Sequence, residues 1–372
     1  MTQRVERKPR DSLDICLTNP FAWPLVKRGS EALISSLASW LRHQGKSLEI
    51  LAGGPRATHY ELDGVPVRLV RARSLRSIHG DLDEEATIIP AMAIHLRRSH
   101  PKVVHSFLYT DAAAARLAGR PYLVSYGGIA TRQSASRHPI KRRLLEFASQ
   151  GARVILCPSE AASRHLRDVY GLQARVLPNG FAVDAFPLAT TEPPRTILCT
   201  ATPDDERKRV AVLVEAFGHV HRSSPDTRLV LAGRSSAERR AALLDRVPDS
   251  ARASIDFPGE VDRQALGELY RGAAVTCLPS LNEAFGLVLL ESLATGRPVV
   301  AAASGAIPEI IDDQVGELFP PDDVRACADS LLRVLERSTD PDVRLACRQR
   351  AEQYDWSVIG PRLLEIYAEV AA

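Results

Sequence analysis

The sequence has no long apolar segment, and this absence narrows the class of protein. It contains 372 residues, of which 45% are apolar and 25% charged, a balance typical of a soluble globular protein. No stretch approaches the ~18 consecutive apolar residues that a membrane-spanning helix needs. The charged residues 1–10 are followed by a strand-like segment, 13–17, rather than by the longer apolar stretch of a signal peptide. We therefore expect a cytoplasmic location.

Paired cysteines and a strong net charge are also missing. The cysteines are scattered singly, with no C-x-x-C pair, at Cys16, Cys157, Cys199, Cys277, Cys327 and Cys347. Most of them fall in or beside apolar, strand-like runs, so we expect small buried thiols in a reducing compartment. The net charge of +3 is too small to indicate a nucleic-acid partner.

Short apolar runs alternate with amphipathic helices, which indicates an α/β protein with parallel sheets. The predicted strands are 13–17, 48–52, 67–70, 103–107, 122–126 and 154–157 in the first half, and 196–200, 228–232, 254–257, 274–278 and 298–302 in the second. The clearest helix carries one apolar face, formed by Leu33, Ile34, Leu37, Trp40 and Leu41. We expect Gly45 to end this helix.

A Pro/Thr-rich segment without periodicity, 186–194, indicates a linker between two domains. The sequence therefore predicts two doubly wound, Rossmann-like domains, residues 1–185 and residues 186–353. Residues 354–372 form one more amphipathic helix, which we expect to cross back to the first domain. In such sheets, ligands bind at the carboxyl ends of the strands, and we expect two such edges to face each other across a cleft.

The most informative motif is a pair of glutamates in the stretch 281–291, LNEAFGLVLLE. Glu283 lies in a predicted loop, and the apolar run from Phe285 begins a predicted helix that carries Glu291. Carboxylates two turns apart, the first before the helix, do not suit a metal ion; they suit a ligand with many hydroxyls. The alternative is that Glu283 caps the helix and Glu291 is a solvated helix residue.

Several segments together resemble a retaining glycosyltransferase of family 4, which has the two-domain GT-B fold. They run in the family's order over nearly the whole chain: Arg28-Gly-Ser-Glu31, Val104-His105, Leu177-Pro-Asn-Gly180, Arg207-Lys208-Arg209, Leu231-Ala-Gly233, Glu283 to Glu291, and Gly305-Ala-Ile-Pro-Glu309. The glutamate block, with the strand and the Gly305 loop that follow it, is the specific part. The resemblance implies transfer of a sugar from a nucleotide-sugar donor, with retention of the anomeric configuration, to a hydroxylated acceptor.

The resemblance also implies roles on the donor side. Glu291 matches the glutamate that binds the ribose hydroxyls, and Glu283 matches the one placed near the transferred sugar. Lys208 matches the lysine that grips the diphosphate, where a cation stabilises the charge that develops as the bond breaks. The remaining donor-binding positions are Ala284, Phe285, Gly286, Leu287 and Gly305. The alternative for Lys208 is a solvated charge run, 204–209.

The chain departs from the family's donor pattern after the first strand of the second domain. The family usually has Gly-Arg a few residues before the lysine, whereas this chain has Thr202-Pro203. Either Arg207 or Arg209 makes the second phosphate contact, or the donor pocket is built differently. We favour Arg207, which we group with Glu283 and Lys208 as catalytic.

The first domain departs as well. Gly29 matches a loop glycine that lets the backbone approach the donor phosphate and the acceptor, but Arg28 replaces a second glycine; alternatively, Gly29 is an ordinary turn before a helix. The family's histidine near the transferred sugar aligns with Gly127, so Tyr126 or a backbone carbonyl substitutes for it, or the acceptor lies differently.

Two further residues are assigned to the acceptor side. His105 lies at a neighbouring strand end, and the alternative is a hydrogen-bonded structural histidine. Asn179-Gly180 is interpreted as a hinge turn that needs a positive φ; a direct substrate contact is the other possibility.

The resemblance implies a front-face reaction in which the leaving diphosphate oxygen helps to deprotonate the acceptor hydroxyl. We expect no metal and no cofactor, because Lys208, arginines and helix dipoles neutralise the diphosphate, and no Asp-x-Asp motif lies at a strand end. The donor is expected to be UDP- or GDP-linked. The acceptor is left open among small natural products, glycolipids and polysaccharides, and the oligomeric state is left open as well.

A basic segment, 132–147, is compatible with peripheral contact with the inner face of a membrane; the alternatives are a solvated face and an acceptor-binding loop. Two rival functions also stay open. One is a sugar-nucleotide epimerase of the same fold, and the other is a non-catalytic sugar-nucleotide-binding partner subunit.

Overall fold

The computed structural model describes residues 13–22, 25, 29–72, 84–129 and 139–372. The chain divides into two compact units: Met1–Leu177 with Gly360–Ala372, and Pro178–Ile359. The expectations for Arg28 and for residues 132–138 of the basic segment lie outside the described residues.

The first unit contains, within its described part, a sheet of eight strands in the order β3-β4-β2-β1-β5-β6-β7-β8. The strands are β1 (Ile15–Asn19), β2 (Leu48–Gly54), β3 (Thr58–Leu62), β4 (Val65–Arg71), β5 (Val103–Ser106), β6 (Tyr122–Ser125), β7 (Val154–Cys157) and β8 (Arg175–Val176). Neighbours pair in parallel, except for β3 with β4, which are antiparallel.

The helices of the first unit include the one predicted most clearly. They are α1 (Gly29–His43), α2 (Ile89–Ser99) after a short 3-10 turn (Glu84–Ile88), α3 (Tyr109–Ala118), α4 (Pro139–Gln150) and α5 (Glu160–Tyr170). In α1, Ile34, Leu37 and Leu41 are buried, as the 3.6-residue spacing predicts. Gly45 follows with a φ of +74°, the left-handed conformation that ends helices.

The second unit contains a sheet of six strands, all parallel, in the order β11-β10-β9-β12-β13-β14 over its described residues. The strands are β9 (Thr196–Cys199), β10 (Arg228–Ala232), β11 (Ile255–Gly259), β12 (Val275–Leu278), β13 (Val299–Ala302) and β14 (Gly316–Phe319). The helices are α6 (Val210–Ser223), α7 (Ala237–Leu244), α8 (Asp249–Arg252), α9 (Arg263–Gly272), α10 (Leu287–Ala294), α11 (Val324–Arg337) and α12 (Pro341–Glu352), with 3-10 turns at Val183–Ala185, Glu206–Lys208 and Ile307–Glu309.

The predicted fold class, α/β with two doubly wound parallel sheets, is confirmed. Every predicted strand has a counterpart, but β3, β8 and β14 are additional. β3 is an edge strand whose first residues, Thr58 and His59, are exposed and polar, so it carries no apolar run that would indicate a strand. β8 consists of two residues, too few for any periodicity.

The predicted linker, 186–194, lies inside the second unit and is bound to it. The N–H of Ala189 donates to the carbonyl of Thr295 at 3.0 Å. The guanidinium of Arg297, a side chain buried in this unit, donates to the carbonyl of Thr191 at 2.7 Å. These backbone groups are satisfied by residues far along the chain, which explains why the segment is ordered without any periodicity of its own.

The interpretation of Asn179-Gly180 as a turn with positive φ is wrong. Both residues are described, and neither has a positive φ. A Cβ atom on Gly180 would instead lie 2.3 Å from the indole ring of Trp356. The glycine is required by this close approach, and backbone hydrogen bonds between Phe181 and Trp356 (3.2 Å) and between Phe181 and Tyr354 (3.1 Å) hold the two segments together.

The C-terminal segment forms the predicted helix, α13 (Trp356–Ala371), whose residues from Gly360 onward belong to the first unit. Its apolar side chains Leu363, Ile366, Tyr367 and Val370 are buried. Gly360 allows Trp40 of α1 to pack against the helix, since a Cβ there would lie 2.2 Å from the Trp40 ring. The last turn is held by Arg175, which donates to the Glu369 carboxylate at 2.8 Å.

The six cysteines are free and buried, which confirms the expectation of structural thiols. In the described part of the chain, no helix combines the length and the apolar character that a membrane crossing requires.

Candidate active site

The charged side chains of the motifs follow neighbouring strands of the second sheet. β9, β12 and β13 are adjacent and parallel, so their carboxyl ends share one edge. Lys208 follows β9, Glu283 follows β12, and Gly305 follows β13. The winding of the chain reverses between β9 and β12, and ligands of doubly wound sheets bind in the crevice at such a point.

Lys208 and Glu283 are in direct contact at this edge. The Lys208 Nζ donates to Glu283 Oε1 at 2.5 Å, and both side chains are partly buried. Lys208 ends a 3-10 turn, in which the Asp205 carboxylate accepts the N–H of Arg207 at 3.0 Å as an N-cap. Arg209, with a φ of +49°, then turns the chain into α6.

The loops after β12 and β13 are joined through their backbones. The N–H of Ala306 donates to the Glu283 carbonyl at 2.8 Å, and the N–H of Asn282 donates to Ser304 Oγ at 2.9 Å. The N–H of Leu281 donates to the carbonyl of Arg207 at 2.8 Å, which connects the Lys208 loop as well. Three loops from three strands therefore hold the Glu283 backbone in place.

The helix that carries Glu291 begins two residues later than the apolar run suggests. α10 starts at Leu287, after Gly286, whose φ is +105°. The Phe285 side chain is buried and packs edge-to-face on Tyr354, with ring centroids 5.7 Å apart. Phe285 is thus a core residue, and only its backbone can contact a ligand. Such a ligand would lie at the N-terminus of α10, and the helix dipole there favours negative charge.

Glu291 is held by a residue that sequence reasoning missed. The Tyr270 hydroxyl donates to Glu291 Oε2 at 2.9 Å and lies 3.0 Å from Thr200 Oγ1. Burial raises the pKa of Glu291 to about 7, although the Tyr270 hydrogen bond and the charge of Arg263 oppose the rise. Tyr270 lies at the end of the amphipathic helix α9, where it is indistinguishable from an ordinary core residue, so no sequence signal marks it.

Arg207, favoured for the second phosphate contact, has an exposed side chain. Its guanidinium donates to Asp205 at 2.7 Å and is 69% exposed. Partial burial alone would raise the pKa of Asp205, but the hydrogen bonds from Arg207 outweigh this and lower it. Arg209, the other candidate, pairs with Asp322 at 3.1 Å.

Thr202-Pro203, the departure from the family pattern, is tied to the segment after β10. The carbonyl of Pro203 accepts a hydrogen bond from Arg239 at 2.9 Å. The carboxylate of the next residue, Asp204, accepts the N–H of Ser236 at 3.1 Å. The loop that follows β9 is therefore held by residues at the start of α7.

In the first unit, Gly29 opens α1 and is exposed, and no described atom lies within 4 Å of a Cβ built on it. Tyr126 is partly buried, and burial raises the pKa of its hydroxyl. Gly127, next to it, is exposed and likewise has no described atom within 4 Å of a Cβ. Asn179, the remaining acceptor-side residue, is partly buried and belongs to the second unit.

His105 is a buried link inside the first unit. Its Nδ1 lies 2.7 Å from the Tyr367 hydroxyl of α13, and its Nε2 lies 2.7 Å from Ser125 Oγ of β6. The ring also stacks on Phe107, with centroids 4.2 Å apart. Burial lowers the pKa of His105 to about 3, so the ring is neutral at physiological pH. These contacts favour the structural alternative over a role at the acceptor.

Among the described residues, no group of three or more His, Cys, Asp or Glu side chains could hold a metal ion. The absence of a cofactor stays a prediction.

Two doubly wound parallel-sheet units are the architecture of the GT-B fold of glycosyltransferases. Solved structures confirm that this chain has the GT-B fold. Sucrose-phosphate synthase from Thermosynechococcus elongatus superposes with a TM-score of 0.83 at 20% identity, over 96% of this chain and 98% of that chain. HepE of Anabaena in complex with UDP-glucose superposes with a TM-score of 0.77 at 16% identity, over 96% of this chain and 99% of that chain. At these identities, the likeness shows the fold.

Family models match both units. One described as Glycosyltransferase Family 4 matches residues 27–185, and one described as Glycosyl transferases group 1 matches residues 194–337. The chain belongs to glycosyltransferase family 4, the group 1 glycosyl transferases.

A curated relative is the phosphatidyl-myo-inositol mannosyltransferase of Mycobacterium tuberculosis, which is 33% identical over 225 residues. The match covers 57% of this chain and 58% of the relative, so it spans little more than half of the relative's length.

Proposed function

We propose that this protein is a retaining glycosyltransferase that moves a sugar from a UDP- or GDP-linked donor to a hydroxyl group of an acceptor. The observation that supports it is the arrangement at the carboxyl edge of the second sheet. There, Lys208 and Glu283 are in contact, and the helix that starts after the Glu283 loop carries Glu291. One cation, two carboxylates and a helix N-terminus suit a diphosphate joined to two polyhydroxylated groups.

Each group has a distinct role in this proposal. The Glu291 carboxylate accepts hydrogen bonds from the ribose hydroxyls, as an ionised acceptor does most strongly. Lys208 contacts the diphosphate, whose leaving oxygen gains negative charge as the glycosidic bond breaks, so the cation stabilises the transition state more than the ground state. The backbone N–H groups at the start of α10, beside Gly286, add their dipole to the same charge.

We propose that donor binding breaks the contact between Lys208 and Glu283. A diphosphate that binds Lys208 replaces the Glu283 carboxylate as the partner of the ammonium group. Glu283 is then available to the hydroxyls of the transferred sugar. The hydrogen bond from Ala306 to the Glu283 carbonyl does not involve this carboxylate, so the Glu283 backbone keeps its place during the exchange.

Retention follows from a front-face reaction. A double displacement needs a carboxylate nucleophile with a second carboxyl group about 5–5.5 Å away. In our proposal, the diphosphate oxygen instead takes the proton of the incoming acceptor hydroxyl on the face from which the diphosphate leaves. The protein then contributes positioning and charge stabilisation.

The acceptor is a hydroxylated small molecule, glycolipid or polysaccharide, bound by the first unit. Since both ring nitrogens of His105 are engaged, Tyr126 and the exposed backbone of Gly127 are the better candidates for contacts with it. The mycobacterial relative is named for an inositol lipid, so inositol-bearing acceptors come first in an acceptor panel.

A lipid acceptor would also require contact with a membrane surface. α4 carries Lys141, Arg142 and Arg143 next to Ile140, which is 41% exposed. We propose that this helix meets anionic lipid, which predicts co-sedimentation with phosphatidylserine vesicles that weakens as salt is raised. Binding equal to that of neutral vesicles would contradict it. The cytoplasmic location stays a prediction.

The proposed reaction is tested by incubating the protein with UDP-glucose and with GDP-mannose, each with and without acceptors. Transfer predicts acceptor-dependent release of the nucleoside diphosphate, and NMR of the product should show the anomeric configuration of the donor. Conversion of the donor without any acceptor would favour the epimerase. Nucleotide binding without turnover on any acceptor would favour the non-catalytic partner subunit. Full activity of a K208A/E291A double variant would contradict the proposed site.

A further inference from the structure

Three side chains from separate elements form a hydrogen-bonded chain that ends at Glu291. Thr200 follows β9, Tyr270 lies near the end of α9, and Glu291 lies in α10. The distances are 3.0 Å between the Thr200 and Tyr270 hydroxyl oxygens and 2.9 Å between the Tyr270 hydroxyl and Glu291 Oε2. We propose that Tyr270 is a positioning residue for the donor: it holds one oxygen of Glu291 so that the other faces the ribose. This inference rests on the proposed function.

The position of the Tyr270 ring is fixed by its packing and does not depend on Glu291. It is fully buried, lies in the apolar core of the second unit, and packs edge-to-face on Phe186 with centroids 6.0 Å apart. A hydroxyl on so fixed a ring has one location, so its partner carboxylate is placed by the core of the unit. Packing of this kind is what holds a binding group to the tolerance that recognition requires.

While Glu291 is ionised, the chain of hydrogen bonds has one direction. A tyrosine hydroxyl carries a single proton, and this proton is donated to Glu291 Oε2. Thr200 must therefore donate to the Tyr270 oxygen. A hydroxyl that accepts one hydrogen bond becomes a stronger donor for the next, so Thr200 strengthens the hold on Glu291. Among the described residues, no hydrogen bond engages Glu291 Oε1, which is the oxygen left for a ligand.

The same contact affects the charge of Glu291. Burial raises the pKa of Glu291 to about 7. Tyr270 and Arg263, both from α9, oppose this rise. Because the ionised carboxylate is the better acceptor for ribose hydroxyls, nucleotide affinity should increase with pH through this range. Removal of the Tyr270 hydroxyl raises the pKa further and moves the increase to higher pH.

The test is titration calorimetry with UDP and GDP between pH 6 and 8.5. Y270F removes only the hydroxyl, and T200V removes the donor behind it while the Tyr270 ring stays in place. For Y270F we expect about tenfold weaker binding at pH 7, since a hydrogen bond to a charged group is lost, with the pH dependence displaced upward. T200V should show a smaller change in the same direction. E291Q, which cannot ionise, shows the part of the pH dependence that the phosphates contribute.

A matched control is Y122F. Tyr122 is also a buried tyrosine, but its hydroxyl donates to the Ala148 carbonyl in the first unit. This variant should bind UDP and GDP as the wild type does, and its unfolding midpoint shows what the loss of a buried hydroxyl costs in stability alone.

The 2′-deoxy forms of UDP and GDP separate the inference from the proposed function. Wild type should bind them more weakly, whereas Y270F and E291Q should lose little further affinity. If E291Q distinguishes the ribo and deoxy ligands as the wild type does, the assignment of Glu291 to the ribose fails. If E291Q loses this distinction while Y270F and T200V keep wild-type affinity and pH dependence, the role of Tyr270 alone is overturned.

Discussion

A side chain on Gly305 would overlap the backbone of Glu283, because a Cβ atom there would lie 2.1 Å from the Glu283 carbonyl oxygen. Gly305 also has a φ of +63°, which L side chains rarely adopt. The next residue, Ala306, donates its N–H to the same carbonyl. The two loops therefore meet backbone to backbone, and the position of the Glu283 carboxylate depends on a residue that has no side chain.

G305A should consequently displace Glu283. A positive φ costs an alanine about 1–2 kcal/mol, and the overlap with the Glu283 carbonyl adds about 1–3 kcal/mol. We expect a lower unfolding midpoint and a loss of sugar transfer larger than the loss of folded protein explains. G272A is the matched control, since Gly272 has no described atom within 4 Å of a Cβ. Wild-type kcat/KM in G305A would contradict the positioning role.

Lys208 and Arg207 should differ in importance although they are neighbours. Lys208 is partly buried against Glu283, whereas the Arg207 guanidinium is exposed and paired with Asp205. Loss of one group that stabilises developing charge costs about 10²–10³ in rate, so we expect K208A to lower kcat by this amount. R207A should lower it less than tenfold. Steady-state kinetics decide the matter, and equal losses in the two variants would show that Arg207 does contact the phosphates.

Gly180 should be intolerant of any side chain. A Cβ atom would lie 2.3 Å from the Trp356 ring, which is itself buried in the second unit. G180A should destabilise the protein by about 1–3 kcal/mol, the usual effect of overpacking. In the W356L background, the G180A substitution should cost less stability than it does in the wild type, because the smaller leucine side chain leaves room for the added methyl group. Urea unfolding of the four proteins gives the coupling energy, and simple additivity would show that the contact is unimportant.

His105 should make the protein sensitive to acid. Its pKa in the folded state is lowered by burial to about 3, whereas the unfolded chain protonates near 6.5, so protons favour the unfolded state as the pH falls below 6.5. Between pH 7.5 and 5.5, the wild type should lose about 1.4 kcal/mol from this group. H105Q cannot take up the proton, so its stability should fall less over the same interval, whatever its stability at pH 7.5.

The control for this pH effect is H59Q, because His59 is exposed on β3. It should retain the wild-type dependence on pH. Parallel curves for wild type and H105Q would show that His105 is protonated without cost in the folded protein.

Much of the fold could be predicted because it depends on local periodicity. Alternating apolar runs predicted parallel strands, and the face formed by Ile34, Leu37 and Leu41 predicted α1. The start of α10 was misplaced by two residues, because Phe285 continues the apolar run but packs on Tyr354 in a loop. β3 escaped prediction since an exposed edge strand needs no apolar run.

The linker and the Asn179-Gly180 turn show why other features could not be predicted. A Pro/Thr-rich segment and an Asn-Gly pair are typical of flexible connections and positive φ, respectively. Here Arg297 binds the first segment, and Trp356 lies against Gly180. In both cases the deciding partner is more than a hundred residues away along the chain, beyond any local pattern.

The donor side of the site could be predicted from local sequence motifs. Glu283, Glu291 and the loop glycines all lie within short segments of the chain, and their spacing is visible there. Tertiary contacts decided what these residues do for one another. Lys208 meets Glu283 across 75 positions, and Tyr270 meets Glu291 across 21. Parallel strands bring their carboxyl ends to one edge whatever their separation in sequence, so the partners of a charged group there follow from the order of strands in the sheet.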